Sequence, residues 1–208
     1  MSGILAIWND CTEGREAAYE HWYQHEHLPE RLGIPGFRVG RRYEAIDARL
    51  RFLTAYEVDH LDVLGSKEYR QRLENPTEQT TAIVKNGFVN MSRTVCARSQ
   101  IRGDIRGSIV VTATLREGDP TSWFDSLESS RYFSDGATHS EIWLSSENSD
   151  ARTKEELLRG RDAKIVACLY LEYLRKEPAI QSAQELRRIH PNADIGVYQL
   201  MCSLTRSE

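Results

Sequence analysis

Three of the chain's six histidines fall within seven residues, His21, His25 and His27, inside the stretch EHWYQHEHLPER. An imidazole has a reference pKa of about 6.5 and can take or give a proton near neutral pH, so this is the sequence's densest titratable cluster. If the stretch is helical, Tyr23, His27 and Arg31 share one face at i, i+4 and i+8, and His21 and His25 form an i, i+4 pair on another. Such a pair beside a carboxylate can hold zinc or iron. A third ligand would have to come from elsewhere, however, and solvated histidines explain the spacing equally well, so no metal site is assigned. His27 lies beside Leu28-Pro29, just ahead of the Gly33–Gly36 turn, with Trp22 and Tyr23 one turn back. Two roles are open to it. It is either an acid or base aimed into the space between helix and sheet, or a ring that ties down the turn after Pro29.

The elements that must position these residues follow from hydrophobic pattern and breakers. Residues 3–10 read as a strand closed by Asn9 and Asp10, and 13–31 as a helix that Thr12 can cap and whose last turn Pro29 should disturb. Strands follow at 36–45 and 51–59, helical pieces at about 61–74 and 76–85 broken at Asn75-Pro76, and a fourth strand at 88–97. The order β-α-β-β-α-β is that of a ferredoxin-like unit. The second half repeats the pattern: a strand over 107–115, a helix over 120–130 opened by Asp119 and Pro120, and a strand over 138–146. A polar insertion SENSDARTKEELLRGRD, a strand over 163–173, a helix over 179–189 and a last strand over 195–204 complete it. The chain thus divides into an N-terminal unit, 1–100, and a degenerate C-terminal unit, 105–208, with a joint near 99–107. A four-stranded sheet covered by helices on one face needs a partner for the other. Two tandem ferredoxin-like βαββαβ units in one chain meet that need by closing into an intrachain dimeric α+β barrel, an α+β fold. A homodimer is compatible with this but not required.

Composition narrows the function classes. Of 208 residues 40% are hydrophobic and 28% charged, which suits a globular protein with a real core. The net charge is −4, with 14 basic against 15 acidic residues in 1–104 and 13 against 16 in 105–208, so neither half has the basic excess that binding a phosphate backbone demands. No apolar run reaches the roughly 20 residues of a membrane span, and the start reads as no secretory signal. Cys11, Cys96, Cys168 and Cys202 form no C-x-x-C pair; three sit in apolar runs as buried thiols, which suits a cytoplasmic setting. No G-x-G-x-x-G or G-x-x-x-x-G-K is present, which disfavours a nucleotide cofactor. The expected partner is a small molecule, neither nucleic acid nor membrane.

Other residues carry ordinary readings beside functional ones. Asp10 can act in a site or cap the next helix. Arg41 and Arg42 are adjacent on a strand, so only one faces the barrel side. Tyr43, Tyr56 and Tyr69 are either site hydroxyls or satisfied core tyrosines.

The stretch from Ile4 to Tyr56, with W-Y-x-x-E-H-L-P-E-R-L-x-I-P-G-F at its centre (Trp22 to Phe37), resembles the EthD-like branch of the dimeric α+β barrel superfamily. Asp10, Arg42-Tyr43, Leu64 to Tyr69 and Asn75-Pro76-Thr77 continue the likeness, which covers most of 1–97. The resemblance implies a small-molecule pocket between sheet and helices and a recurring histidine acid or base. Carried over residue by residue, it makes His27, Asp10 and Tyr43 catalytic and Trp8, Trp22, Tyr23, Glu26, Arg42 and Tyr56 substrate-binding. The second half has no histidine and no E-H-L-P-E-R in its first helix, and only Trp123 echoes an aromatic anchor, so one active site is expected. The implied function is a cofactor-independent lyase or isomerase acting through histidine on a small hydrophobic carbonyl or phenolic compound. A haem-dependent or cofactor-free oxygenase and a non-catalytic ligand-binding module are the alternatives.

Overall fold

The computed structural model describes residues 2–128, 136–146 and 154–206. Its strands are β1 (Gly3–Cys11), β2 (Phe37–Asp47), β3 (Phe52–Val58), β4 (Phe88–Arg102), β5 (Ile109–Leu115), β6 (His139–Ser145), β7 (Ala167–Tyr173) and β8 (Asp194–Thr205). They hydrogen-bond in the order β1-β3-β2-β8-β5-β7-β6-β4, and β4 returns to β1 to close a barrel. All eight pairings are antiparallel. Each half supplies four neighbouring strands, β4-β1-β3-β2 and β6-β7-β5-β8, and the halves meet at β2·β8 and β4·β6. The fold is therefore the α+β barrel expected from the repeated pattern, closed within one chain.

Strand alternation sorts side chains into two layers. On β1, Ile4, Ala6 and Trp8 join Tyr43, Val110, Trp143, Cys168, Tyr170 and Tyr198 inside the barrel. Leu5 and Ile7 face outward, where Leu28, Leu32, Phe37, Tyr56 and Tyr69 cover them. The outer layer of the first half is α1 (Glu16–Trp22), a π-helical turn (Tyr23–His27), α2 (Leu28–Leu32), a 3-10 turn (Leu61–Gly65), α3 (Lys67–Glu74) and α4 (Glu78–Asn86). Over the second half lie α5 (Pro120–Glu128) and α7 (Lys176–Ile189), whereas α6 (Lys154–Arg159), between β6 and β7, packs against α3 and α4 of the first half. No helix among the described residues is long and apolar enough to cross a membrane. No disulfide joins the four cysteines.

Several boundaries differ from the sequence expectation for identifiable reasons. Thr12 does not cap the first helix: its N–H donates to the Gly87 carbonyl and its own carbonyl accepts from Arg15, so the helix starts at Glu16 behind an Arg15 cap. Pro29 has no N–H for the His25 carbonyl, and the helix widens there, with Leu28 N–H bonding Tyr23 O five residues back. The expected joint at 99–107 is partly strand, because β4 pairs onward with β6 as far as Arg102 through a bulge in which Gln100 takes φ 47°. Ala163 is not the start of β7; it makes a parallel bridge to Ser92 on β4. Residues 129–130 of the expected helix and 147–153 of the insertion lie outside the described residues.

One end of the barrel is plugged by charge. Arg41 bonds Glu57, Arg98 spans Glu57 (3.1 Å) and Glu141 (2.5 and 2.8 Å), and Arg106 grips Glu172 (2.5 and 2.9 Å). His139 Nε2 lies 2.7 Å from Glu141, and Trp143 donates to the same carboxylate at 2.8 Å. Burial would push the Glu141 carboxyl up, but the donors from His139, Arg98 and Trp143 hold it well below the usual carboxylate range. His139 is shifted the other way: burial lowers it, and its bonds to Glu141 and the Gly103 carbonyl more than restore it.

Two predictions follow from this packing. The ionised Glu141 favours the fold above the ordinary carboxylate value of 4.5, and that contribution drains away as pH falls below it. Protonated His139 contributes fully below its ordinary 6.5, and that contribution is lost as pH rises through its folded value. Urea-unfolding stability should therefore peak between these values. Glu141→Gln removes the negative charge that Arg98 and His139 face and puts an amide N–H₂ where one carboxylate oxygen accepted, which should cost about 3 kcal/mol, and should shrink the acid limb. An unchanged acid limb would show that the plug does not set the pH response. The second concerns Gly40, where an added Cβ would stand 2.7 Å from Leu28 Cδ1, 2.9 Å from Leu32 Cδ2 and 3.0 Å from Tyr56 Cε1. Gly40→Ala should lift α2 off β2 and cost about 1–3 kcal/mol in a thermal melt.

Candidate active site

The π-helical turn decides what His27 meets. On a regular α-helix, residues five apart point about 140° away from each other; the wider turn brings Trp22 and His27 into register. Their rings stack at 4.2 Å and 30°. Tyr23 presents its edge to the imidazole at 5.2 Å and Tyr56 at 6.4 Å. His27 is buried, at 6% exposure, while His21 and His25 are exposed and lie beside each other at 4.6 Å. Among the described residues no group of three or more histidines, cysteines or carboxylates is placed to hold a metal.

His27 lines a cavity of about 20 Å³, room for one water, between the helix layer and the outer face of β1 and β3. Its polar wall includes Arg31, Tyr56, Tyr69, Arg93 and Glu155; its apolar wall includes Ile7, Trp22 and Met91. Arg31 is 2% exposed and donates to Glu155 at 2.9 Å. Arg93 donates to the Tyr69 hydroxyl at 2.8 Å. Burial raises the Tyr56 phenol well above its ordinary value, so it stays protonated and can donate. The cavity is an aromatic box holding one imidazole, two arginines and phenolic hydroxyls.

The expected site residues divide among five places. His27, Trp22, Tyr23 and Tyr56 line this cavity. Glu26 does not: its carboxylate accepts from Thr77 and from Thr80 Oγ1 (2.7 Å), and Thr80 Oγ1 in turn accepts from Trp22 Nε1 at 3.0 Å. Glu26 thereby fixes the indole on which His27 stacks. Arg42 sits one layer behind, 3.8 Å from the centre of the Tyr23 ring, with its guanidinium held by Glu20 at 3.2 and 3.3 Å. Trp8 and Tyr43 are on the other side of the sheet. Trp8 packs near Trp143 at 6.3 Å, and the Tyr43 hydroxyl meets that of Tyr170 at 2.8 Å inside the barrel. Asp10 accepts from Arg51 N (2.7 Å) and Asn90 (2.8 Å), pinning the β2–β3 turn to the start of β4. It caps no helix and does not reach His27's cavity.

Arg31, Arg93 and Glu155 are the charged lining residues that sequence reasoning did not select. Arg31 carried a usable signal, four residues after His27 on the same face. Glu155 carried none, because it arrives from the insertion in the other half of the chain.

No protein-family model and no curated protein matches the sequence. Solved structures match in fold. An anthrone oxidase-like protein superposes with a TM-score of 0.58 at 8% identity, covering 100% of this chain and 94% of that one. A protein named as a chlorite dismutase gives 0.55 at 9% identity, covering 97% and 95%. A candidate monooxygenase from Fusobacterium nucleatum gives 0.53 at 9% identity, covering 99% and 95%. At such identities the likeness is one of fold: these structures share the closed α+β barrel.

Proposed function

We propose that this protein is a small-molecule enzyme of the EthD-like kind, in which His27 moves a proton on a hydrophobic phenolic or carbonyl compound without an organic cofactor. The observation that carries the reading is the placing of one buried imidazole inside an aromatic box with protonated donors beside it. Proton abstraction next to a carbonyl needs a base, donors for the oxygen on which charge develops, and exclusion of water. His27 serves as the base, and Tyr56 and Arg31 serve as the donors. In this reading Asp10, Trp8, Tyr43 and Arg42 support the fold around the site. The reaction class is that of a lyase or isomerase, and a cytoplasmic setting suits the four thiols. The barrel is closed within one chain, so a homodimer is not needed to complete it.

The anthrone oxidase-like and monooxygenase neighbours favour a second reading, cofactor-free oxidation, which would begin with the same proton abstraction and differ in consuming dioxygen. Haem is also associated with this fold, but the described residues do not fit it. His27 is stacked on Trp22 at 4.2 Å and edged by Tyr23 and Tyr56, so rings already occupy the space around its imidazole that a macrocycle would need. Two larger hollows among the described residues, of about 340 and 510 Å³, have no histidine in their walls.

The test is proton exchange at the activated carbon of aromatic ketones such as anthrone and 1-tetralone in D2O, with oxygen uptake recorded alongside. Wild-type protein should accelerate exchange, and His27→Ala should slow it by about 10²–10⁴-fold while retaining its fold. His21→Ala and His25→Ala should match wild type. Full exchange activity in His27→Ala would end the proposal, and oxygen uptake tracking exchange would select the second reading.

A further inference from the structure

The contact between Arg31 and Glu155 is only half of what this pair of groups can make. A guanidinium and a carboxylate bind most tightly through two parallel N–H···O bonds. Here Nη2 of Arg31 donates to Glu155 Oε1 at 2.9 Å, while Nη1 is buried with no hydrogen-bond partner among the described residues. A carboxylate oxygen of Glu30 lies 3.9 Å from Nη1, beyond hydrogen-bond distance. A second donor is stranded in the same cavity: the Tyr56 hydroxyl is fully buried and also lacks a partner. A buried donor without an acceptor costs about 1–3 kcal/mol, and two facing one cavity mark a place built for an acceptor that the fold itself does not supply.

Glu155 is also held in an unusual way. It belongs to α6, a helix of six residues from the insertion between β6 and β7, seated across the cavity on the other half of the chain. Beyond the Arg31 pair, the tie from α6 to this half includes an exposed bond from Lys154 Nζ to the Glu74 carbonyl at 3.1 Å. With Glu155 in place the cavity holds about one water; withdrawing that side chain opens the space between Trp22, His27 and Tyr69.

We propose that Glu155 is an intramolecular stand-in for the ligand's own anionic group, and that the cavity takes a planar aromatic carboxylate. Its two oxygens engage both Nη atoms of Arg31 and accept from Tyr56, its ring lies in the aromatic box beside His27, and α6 moves off as Glu155 is displaced. The inference rests on reading the cavity as the ligand site and adds the ligand's charge and the competitor for its place.

The experiment is a calorimetric titration with 1-hydroxy-2-naphthoate and, as its neutral counterpart, 1-hydroxy-2-naphthamide, on wild-type, Glu155→Gln and Arg31→Lys proteins, each first checked by thermal melt. Removing the competing anion in Glu155→Gln should tighten naphthoate binding by about tenfold, within the ordinary range of coupling between two sites, and tighten naphthamide binding as well, since both probes displace this side chain, while naphthoate stays the tighter ligand in wild-type and Glu155→Gln proteins. Arg31→Lys keeps the charge but loses the planar fork, so naphthoate should bind more weakly to it than to wild type. Amide hydrogen exchange over 154–159 should speed up when naphthoate binds to wild-type protein. Naphthoate affinity unchanged or weakened in Glu155→Gln overturns the stand-in role. Equal affinity for both probes overturns the anion preference while leaving the cavity as a ligand site. Naphthoate binding with no change in exchange over 154–159 places the ligand elsewhere and also overturns the inference. Failure of both probes to bind any of the three proteins removes the cavity reading and this inference with it.

Discussion

The charge plug at one end of the barrel is the interaction on which the rest of the structure depends. Arg41, Glu57 and Arg98 come from the first half, and Arg106, His139, Glu141 and Glu172 from the joint and the second half. Three arginines face three carboxylates, so the set is neutral without His139. Two sheets with apolar inner faces would associate in many relative positions, since apolar burial has no direction. Fixed donors and acceptors do have direction: Arg98 reaches Glu57 and Glu141 together only when β4 lies beside β6 in the observed pairing. A buried ion pair adds little net stability over apolar packing. Its effect here is to choose one closure of the barrel, which in turn sets α6 over the cavity of the opposite half.

The same alternation that builds the plug explains how much of the site was legible in the sequence. Strand order, the repeat and the helix-facing stripe could be read because apolar periodicity follows directly from local geometry. His27, Trp22 and Tyr23 could be reached because they lie on the helical segment that covers the outer face of the sheet, and Tyr56 because its parity on β3 turns it to that same face. Tyr43 and Arg42 cannot share a pocket, being adjacent on β2, and Tyr43 is the one that points inward to Tyr170. Trp8 follows the same parity on β1. Arg42 has the right parity, but Glu20 from α1 neutralises it behind Tyr23, and a pairing between two elements is not written in either of them. The π-helical turn was only half visible: Pro29 announced a disturbed helix, but the stacking of Trp22 on His27 depends on how that disturbance is resolved in three dimensions.

The two halves share a topology and differ in what their outer layers enclose. In the second half Ala179, Ala183 and Leu186 of α7 are buried with Val111, Leu171 and Val197, a mostly small and aliphatic cluster in which Trp123, Phe124 and Tyr173 are the rings. In the first half the equivalent space is bordered by rings, and rings with polar edges cannot tile without leaving buried hydroxyl and imidazole groups that need partners. The chain solves this partly from within, through Thr54 on Tyr23, Thr80 on Trp22 and Arg93 on Tyr69. It meets part of the remainder by sending α6 across from the other half to set a carboxylate against Arg31. The second half is therefore scaffold in its own core and a participant in the first half's cavity. On the proposed reading this division gives a physical reason for the insertion: a cavity that admits a ligand needs a cover that can leave without opening the barrel, and a helix of six residues meets that need better than any strand.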